Sequence, residues 1–236
     1  MEDKLYEGDP IEAPPSFYKV EPERQGKLVW ISGPPGLGKS TTAQLLSRKH
    51  GYVYYEGDCF FMLRNPFIPP NAPEASLASL EQNKLVGAGA KEREEMAVKV
   101  VGQFKRMFEG EEVDYQVIEE GVRMICRDIK KERTRIGGDW AVCCVLHTRK
   151  MREIVREELG KEDMLIICLD MDLEGQMERI RSRHSGNEKI VERMKTVYNL
   201  CQPPKPDEIN TCRVKIDAGK NPLHVLHMVL EKINTR

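Results

Sequence analysis

No apolar run in the sequence approaches the roughly 20 residues that a membrane-spanning helix needs, so an integral membrane protein is not expected. Aromatic residues are scarce, at 6% with two tryptophans. Net charge is almost absent. The 37 basic and 38 acidic side chains leave −1, and a chain so balanced has no bulk attraction for nucleic acid or an anionic membrane surface. The seven cysteines include no Cys-x-x-Cys pair and no Cys/His cluster at zinc spacing. Cys143, Cys144 and Cys168 lie inside apolar runs, where a thiol behaves as a small hydrophobe. They read as reduced core residues of a cytoplasmic protein. With 18 glycines and 14 prolines the chain is not of low complexity. Met1 to Pro15 holds five carboxylates and no apolar stretch, so no secretory signal is expected there.

What is present suits one sizeable folded domain: 236 residues, 40% of them apolar. Residues 1–25 carry seven acidic and three basic residues and four prolines, the composition of an extended or disordered arm. From Gly26 onward the pattern alternates. Lys27 to Ser32 reads as a strand. A helix runs from about Lys39 to the stop at Gly51. Tyr52 to Tyr55 is a second strand. Residues 64–91, with four prolines, read as irregular, and a loop that long is usually functional. Helical spacing returns at Met96, Val100, Phe104 and Phe108, then at Ile118, Val122, Ile125 and Ile129. Ala141 to Leu146 and Met164 to Leu169 read as buried strands, with a charged helix at 148–159 between them. Helices at 173–184 and 188–201, a strand at Arg213 to Ile216, and a helix capped by Asn221 with Pro222 at its first position complete the chain. Strands separated by helices predict an α/β fold of three layers, with a five-stranded parallel sheet covered on both faces and its ligand at the carboxyl ends of the strands.

One motif carries chemistry directly. Gly33-Pro34-Pro35-Gly36-Leu37-Gly38-Lys39-Ser40 fits G-x-x-x-x-G-K-S, follows a predicted strand and opens a predicted helix. Such a loop wraps backbone N–H groups around phosphate oxygens at a helix N-terminus. Lys39 then reaches the β- and γ-phosphates and Ser40 ligates Mg²⁺, with Thr41 next in the nucleotide site. ATP and Mg²⁺ are the expected cofactors.

Other residues take their meaning from that loop. Asp58 ends the second strand's loop at the same edge, where a carboxylate can hold Mg²⁺ or accept a proton from a substrate hydroxyl; it also reads as a turn residue. Asp170 reads as a cap for the next helix. Arg179 and Arg183, four apart on one helix face, precede a break at His184 to Asn187. A kinase needs a lid of this kind over the phosphates, here at about 181–193, although charged faces are often only solvated. Arg149 and Arg152 open a helix at the sheet edge and could grip an anionic substrate. Arg64 and Arg93 are further candidates for the acceptor site.

With these residues in place, the chain resembles the small P-loop carbohydrate kinases typified by gluconokinase, close to shikimate and adenylate kinases. Glu56-Gly57-Asp58 resembles the family's Asp-Gly-Asp. Ala141 to Cys144 with Arg149 and Arg152 resembles its Val-Val-Ala-Cys strand and basic helix start. Arg179 and Arg183 resemble its lid arginines. Gln202 to Glu208 resembles its Glu-Pro-Pro…Asp-Glu segment. Thr148 replaces a family lysine, His184-Ser185-Gly186-Asn187 replaces the lid signature, and an insert at about 60–91 lies where the sugar-binding lobe should be. The resemblance implies a P-loop kinase domain over 26–236 that transfers phosphate from ATP to a small polar metabolite, with no nucleic-acid or membrane partner, as a monomer or homodimer. Two alternatives stay open: a nucleoside monophosphate kinase clamping its substrate with Arg64 and Arg93, and a P-loop ATPase or switch acting on a protein partner.

Overall fold

The computed structural model describes residues 25–70, 90–160, 164–217, 219 and 221–235. The arm expected over 1–25 lies outside them except for Gln25, which already belongs to the first strand, and residues 71–89 of the insert also lie outside.

Five parallel strands form the centre: β1 (Gln25–Ser32), β2 (Val53–Glu56), β3 (Gly138–Cys143), β4 (Met164–Asp170) and β5 (Thr211–Lys215), in the order β2-β3-β1-β4-β5. The helices are α1 (Lys39–His50), α2 (Gly57–Phe61), α3 (Ala90–Glu109), α4 (Tyr115–Ile136), α5 (Arg149–Leu159), α6 (Leu173–Arg183), α7 (Glu188–Leu200) and α8 (Pro222–Asn234). Central strands buried on both faces must be apolar at every position. In β1, Leu28 and Trp30 pack with Ile125 and Ile129 of α4 and Ile154 of α5. Its alternate residues Val29 and Ile31 pack with Leu46 of α1 and Val229 of α8. The predicted α/β architecture and strand count are those observed.

Local details differ. β3 starts at Gly138, not Ala141, because α4 runs to Ile136 and the chain turns into the sheet at once, through Gly137. It ends at Cys143, where the chain leaves the sheet and the Cys144 carbonyl accepts from the Trp30 indole N–H at 3.1 Å. The insert does not begin as an irregular loop. Residues 65–68 fold back antiparallel along β2: Glu56 N–H donates to the Pro66 carbonyl (2.7 Å) and Ile68 N–H to that of Tyr54 (3.2 Å). This return covers an edge that would otherwise expose unpaired backbone groups. Asp170 does not cap α6. It pairs with Arg213, and Asp172 caps instead, accepting from Gly175 N–H at 2.8 Å. α6 and α7 form a hairpin with a small core of its own, Met177, Ile180 and Val191. Among the described residues no helix is long and apolar enough to cross a membrane.

Candidate active site

The phosphate loop spans the turn from β1 into α1. Gly33, at φ 131°, lies so close to β4 that a Cβ there would meet the Leu169 carbonyl oxygen at 2.3 Å, so no side chain fits. α1 opens on Gly38 with no side-chain cap, which leaves the first N–H groups of the helix open to an anion. Lys39 is 8% exposed, and its Nζ donates to the Pro34 carbonyl at 2.9 Å, so the ammonium is held inside the loop it serves. Thr42 Oγ1 donates to the Gly38 carbonyl at 2.9 Å and secures the helix start. Ser40 Oγ faces Cys143 Sγ at 3.5 Å. The loop is also held from above: Gln176 Nε2 on α6 donates to the Pro35 carbonyl at 2.5 Å.

Two carboxylates stand opposite. Sequence reasoning singled out Asp58, expected in a loop; it lies in the first turn of α2, a helix the sequence did not signal. That helix can start so close to the sheet because Gly57 lacks a side chain: a Cβ there would stand 2.5 Å from Cys144 Cβ. Glu56, the last of β2, entered the sequence reading only through the resemblance of Glu56-Gly57-Asp58 and was given no role of its own. It is 3% exposed. Its Oε2 accepts from the Tyr54 hydroxyl at 2.5 Å, while no hydrogen bond closes on the buried Oε1, although Ser40 lies near enough to draw the pKa down. Burial, then the neighbouring Asp58 charge, pushes Glu56 up to about 7, against the opposing pull of Tyr54, Ser40 and Lys39. Asp58 is also raised by lost hydration and lowered by Lys39, but its side chain is exposed, so water tempers the shift.

His147, just beyond β3, is a second residue the sequence did not mark. It is 4% exposed, its ring lies edge-on to Phe104 at 5.9 Å between centroids, and burial followed by the Lys39 charge lowers its pKa to about 4. The imidazole is therefore neutral at physiological pH. The thiols of Cys143 and Cys144 are pushed up chiefly by burial and stay protonated, so neither is a nucleophile.

The remaining expected residues separate into two groups. Arg179 lines a cavity of about 300 Å³ with Leu37, Gly38, Thr41, Thr42 and Pro222, beside the start of α1. Its Nη2 donates to the Asp217 carbonyl at 3.3 Å. Arg183 lines an adjoining open pocket with Ser182 and Gly219. Arg179 thus flanks the phosphate loop on the side of α8, and Arg183 lies one turn further along α6. Arg64 is half-buried just past α2. The other three candidates for an anionic substrate are occupied within the fold. Arg93 is ion-paired with Asp128 beneath the Phe60 ring. Arg149 pairs with Glu153 and Asp207, both at 2.9 Å. Arg152, 1% exposed, meets both oxygens of Glu208 at 2.7 Å and donates to the Gln202 carbonyl at 2.9 Å. For Arg149 and Arg152 the reason is spatial: the proline-rich 202–208 segment returns across the start of α5 and brings Asp207 and Glu208 to them.

This is the fold of the P-loop kinases. A gluconokinase from Sinorhizobium meliloti 1021 superposes with a TM-score of 0.58 at 16% identity, covering 90% of this chain and 94% of that one. A sugar kinase from Janibacter sp. HTCC2649 gives 0.59 at 17%, covering 89% and 95%. The APS kinase from Mycobacterium tuberculosis, solved with AMPPNP and APS, gives 0.53 at 15%, covering 89% and 99%. At such identities the likeness is one of fold. In sequence, 42 residues are 43% identical to the cytidylate kinase of Dichelobacter nodosus (strain VCS1703A), which is 18% of this chain; the chain spans about a fifth of that curated relative. No protein-family model matches the chain.

Proposed function

We propose that the protein transfers the γ-phosphoryl group of ATP to a hydroxyl of a small polar metabolite. The observation that carries this is the pairing of a buried Lys39 and a half-buried Ser40 with Glu56, whose Oε1 is buried without a partner, and with Asp58 beside it. An orphaned carboxylate oxygen next to a phosphate-loop serine is an uncompensated cost unless a cation completes it. The donor set of hydroxyl and carboxylate oxygens fits Mg²⁺. Ser40, Glu56 and Asp58 would hold the ion, which would supply positive charge against that of the transferring phosphoryl group. Lys39 and the N–H groups at the start of α1 stabilise the charge on the transferring group. The exposed Asp58 takes the proton of the attacking hydroxyl as the new P–O bond forms and the bond to the ADP oxygen breaks. The base extends into the cavity beside Thr41 and Arg179, and the α6–α7 hairpin excludes water as it closes.

A nucleotide-driven switch wants a metal-binding carboxylate at the end of β3, where this chain has Cys143 and Cys144. We place the protein in a reducing cytoplasm, which its seven free cysteines support. The test is acceptor-dependent formation of ADP from ATP and Mg²⁺ across sugars, polyols, sugar acids and nucleosides, with the phosphorylated product identified by mass. ATP hydrolysis indifferent to every acceptor, with no phosphorylated product, would overturn the proposal.

A further inference from the structure

The phosphate loop of this chain is short of backbone donors. Pro34 and Pro35 have no N–H, so between Gly33 and Leu37 the backbone offers a phosphate only the N–H of Gly36. That group serves only if the Pro35–Gly36 peptide is turned toward the ligand. Gly36 sits at φ 81°, where a glycine meets no steric barrier, so its own conformation does not fix the turn. Lys39 Nζ holds the Pro34 carbonyl, which is one peptide too early to fix it.

The peptide is held from α6. Gln176, in the first turn of that helix, is wholly buried, and its Nε2 donates to the Pro35 carbonyl at 2.5 Å. The reverse orientation of the amide would set two carbonyl oxygens against each other. In a trans peptide C=O and N–H point to opposite sides, so drawing the Pro35 carbonyl to α6 directs the Gly36 N–H away from α6. Ile180, one turn further along, stands over the same place: a Cβ on Gly36 would lie 3.1 Å from its Cγ1. Ile180 also belongs to the core of the α6–α7 hairpin. The base of the hairpin and the loop are thus in contact at two successive turns of one helix.

Gln176 also carries a cost that packing does not require. Its Oε1 is buried with no hydrogen-bond partner. A methionine would fill a similar volume without burying an acceptor, so what the amide adds is its donor.

We propose that Gln176 is a positioning residue for phosphate binding. By holding the Pro35 carbonyl it aims the Gly36 N–H at the nucleotide's phosphates before they arrive, so that less ordering is charged to binding. This rests on the kinase assignment above and deepens it.

Gln176→Met and Gln176→Leu remove the donor and keep an apolar side chain in its place. Pro35 is half-buried, so water can reach its carbonyl, and Gln176→Met should leave Tm within a degree or two of the wild type or raise it. Calorimetric titrations with ADP, inorganic tripolyphosphate and adenosine read the loop together with the base, the loop alone, and the base alone. Both variants should bind ADP and tripolyphosphate roughly fivefold more weakly, the scale of one hydrogen bond, with adenosine affinity unchanged. Unchanged affinity for ADP and tripolyphosphate in a folded variant, whatever its Tm, overturns the inference and leaves the kinase assignment standing. An equal loss for adenosine also overturns it, because that would assign Gln176 to packing. A wild type that binds neither ADP nor tripolyphosphate overturns both. Either variant decides the matter if the other does not fold.

Discussion

Glu56 is held in a state that costs stability, and replacing it should therefore make the protein more stable and less active at once. Its carboxyl rises from an ordinary 4.5 to about 7, with burial as the first cause and Asp58 as the second. Between those two pH values the folded chain keeps a proton that the unfolded chain releases, so stability falls as pH rises through the window. One pKa unit is 1.36 kcal/mol, so the ionised Glu56 costs up to about 3 kcal/mol above pH 7. Glu56→Gln retains the shape and a partner for the Tyr54 hydroxyl but cannot ionise. Its advantage over the wild type should be near zero at pH 4.5, grow through pH 5–7, and reach up to about 3 kcal/mol at pH 8. For a chain of this size that is a rise in Tm of up to roughly 10 °C.

The assay is thermal unfolding of both proteins from pH 4.5 to 8, without nucleotide and with a chelator present, so that no cation neutralises the carboxylate. Adding Mg²⁺ and ATP should then stabilise the wild type more than the variant, because only the wild type has the orphaned oxygen for the ion to complete. Turnover of Glu56→Gln should fall, with a raised requirement for Mg²⁺. A stability difference between the two proteins that does not change with pH would refute the account of Glu56 as a strained, buried acid. A stabilised variant with full turnover and an unchanged Mg²⁺ requirement would refute its place in the site.

Three further outcomes are expected. Lys39→Ala should lower kcat on the order of 10²-fold or more, the scale of losing one strong charge contact in the transition state, while circular dichroism stays that of the wild type; an active variant would remove the phosphate loop from the chemistry. Arg152→Ala should destabilise by about 3–5 kcal/mol, because it leaves Glu208 buried without its bidentate partner, and denaturant titration should show a lowered midpoint; near-wild-type stability would mean that the pair holds nothing together. Arg179 is half-buried and Arg183 exposed on α6; changing either to Ala should leave Tm within a degree or two while lowering kcat more than it raises KM, and a loss of stability with normal turnover would assign this helix face to packing.

The parts of this fold legible in the sequence are those whose signal is local. A phosphate loop is contiguous, and its glycines, lysine and serine each have their job within eight positions. Continuous apolar runs marked β3 and β4, and the spacing at Ile118, Val122, Ile125 and Ile129 marked α4, because periodicity follows from which faces are buried. The strand ends were less legible, since a strand stops where its neighbour stops offering hydrogen bonds, not where apolar residues run out: Cys144 to Leu146 continue the run beyond the sheet. Five-residue α2 is too short for any period to show.

Charge is where spacing alone misleads. Arg149 and Arg152 sit at the sheet edge as the sequence implied, yet a side chain's role depends on what arrives beside it from elsewhere in the chain. Glu208 lies 56 positions from Arg152, and only the return of the 202–208 segment decides that this guanidinium braces the fold. Arg93 and Asp128, 35 positions apart, repeat the point. Glu56 shows the converse. Its neighbour Asp58 drew attention as a carboxylate after a glycine, while Glu56 looked like the end of a strand. Its importance comes from the Tyr54 hydroxyl on one oxygen, the absence of any partner on the other, and Ser40 across the turn. A motif can therefore announce that phosphate chemistry takes place at this edge. Which carboxylate is strained, and which arginines brace the fold, follows from how the ion pairs close in three dimensions.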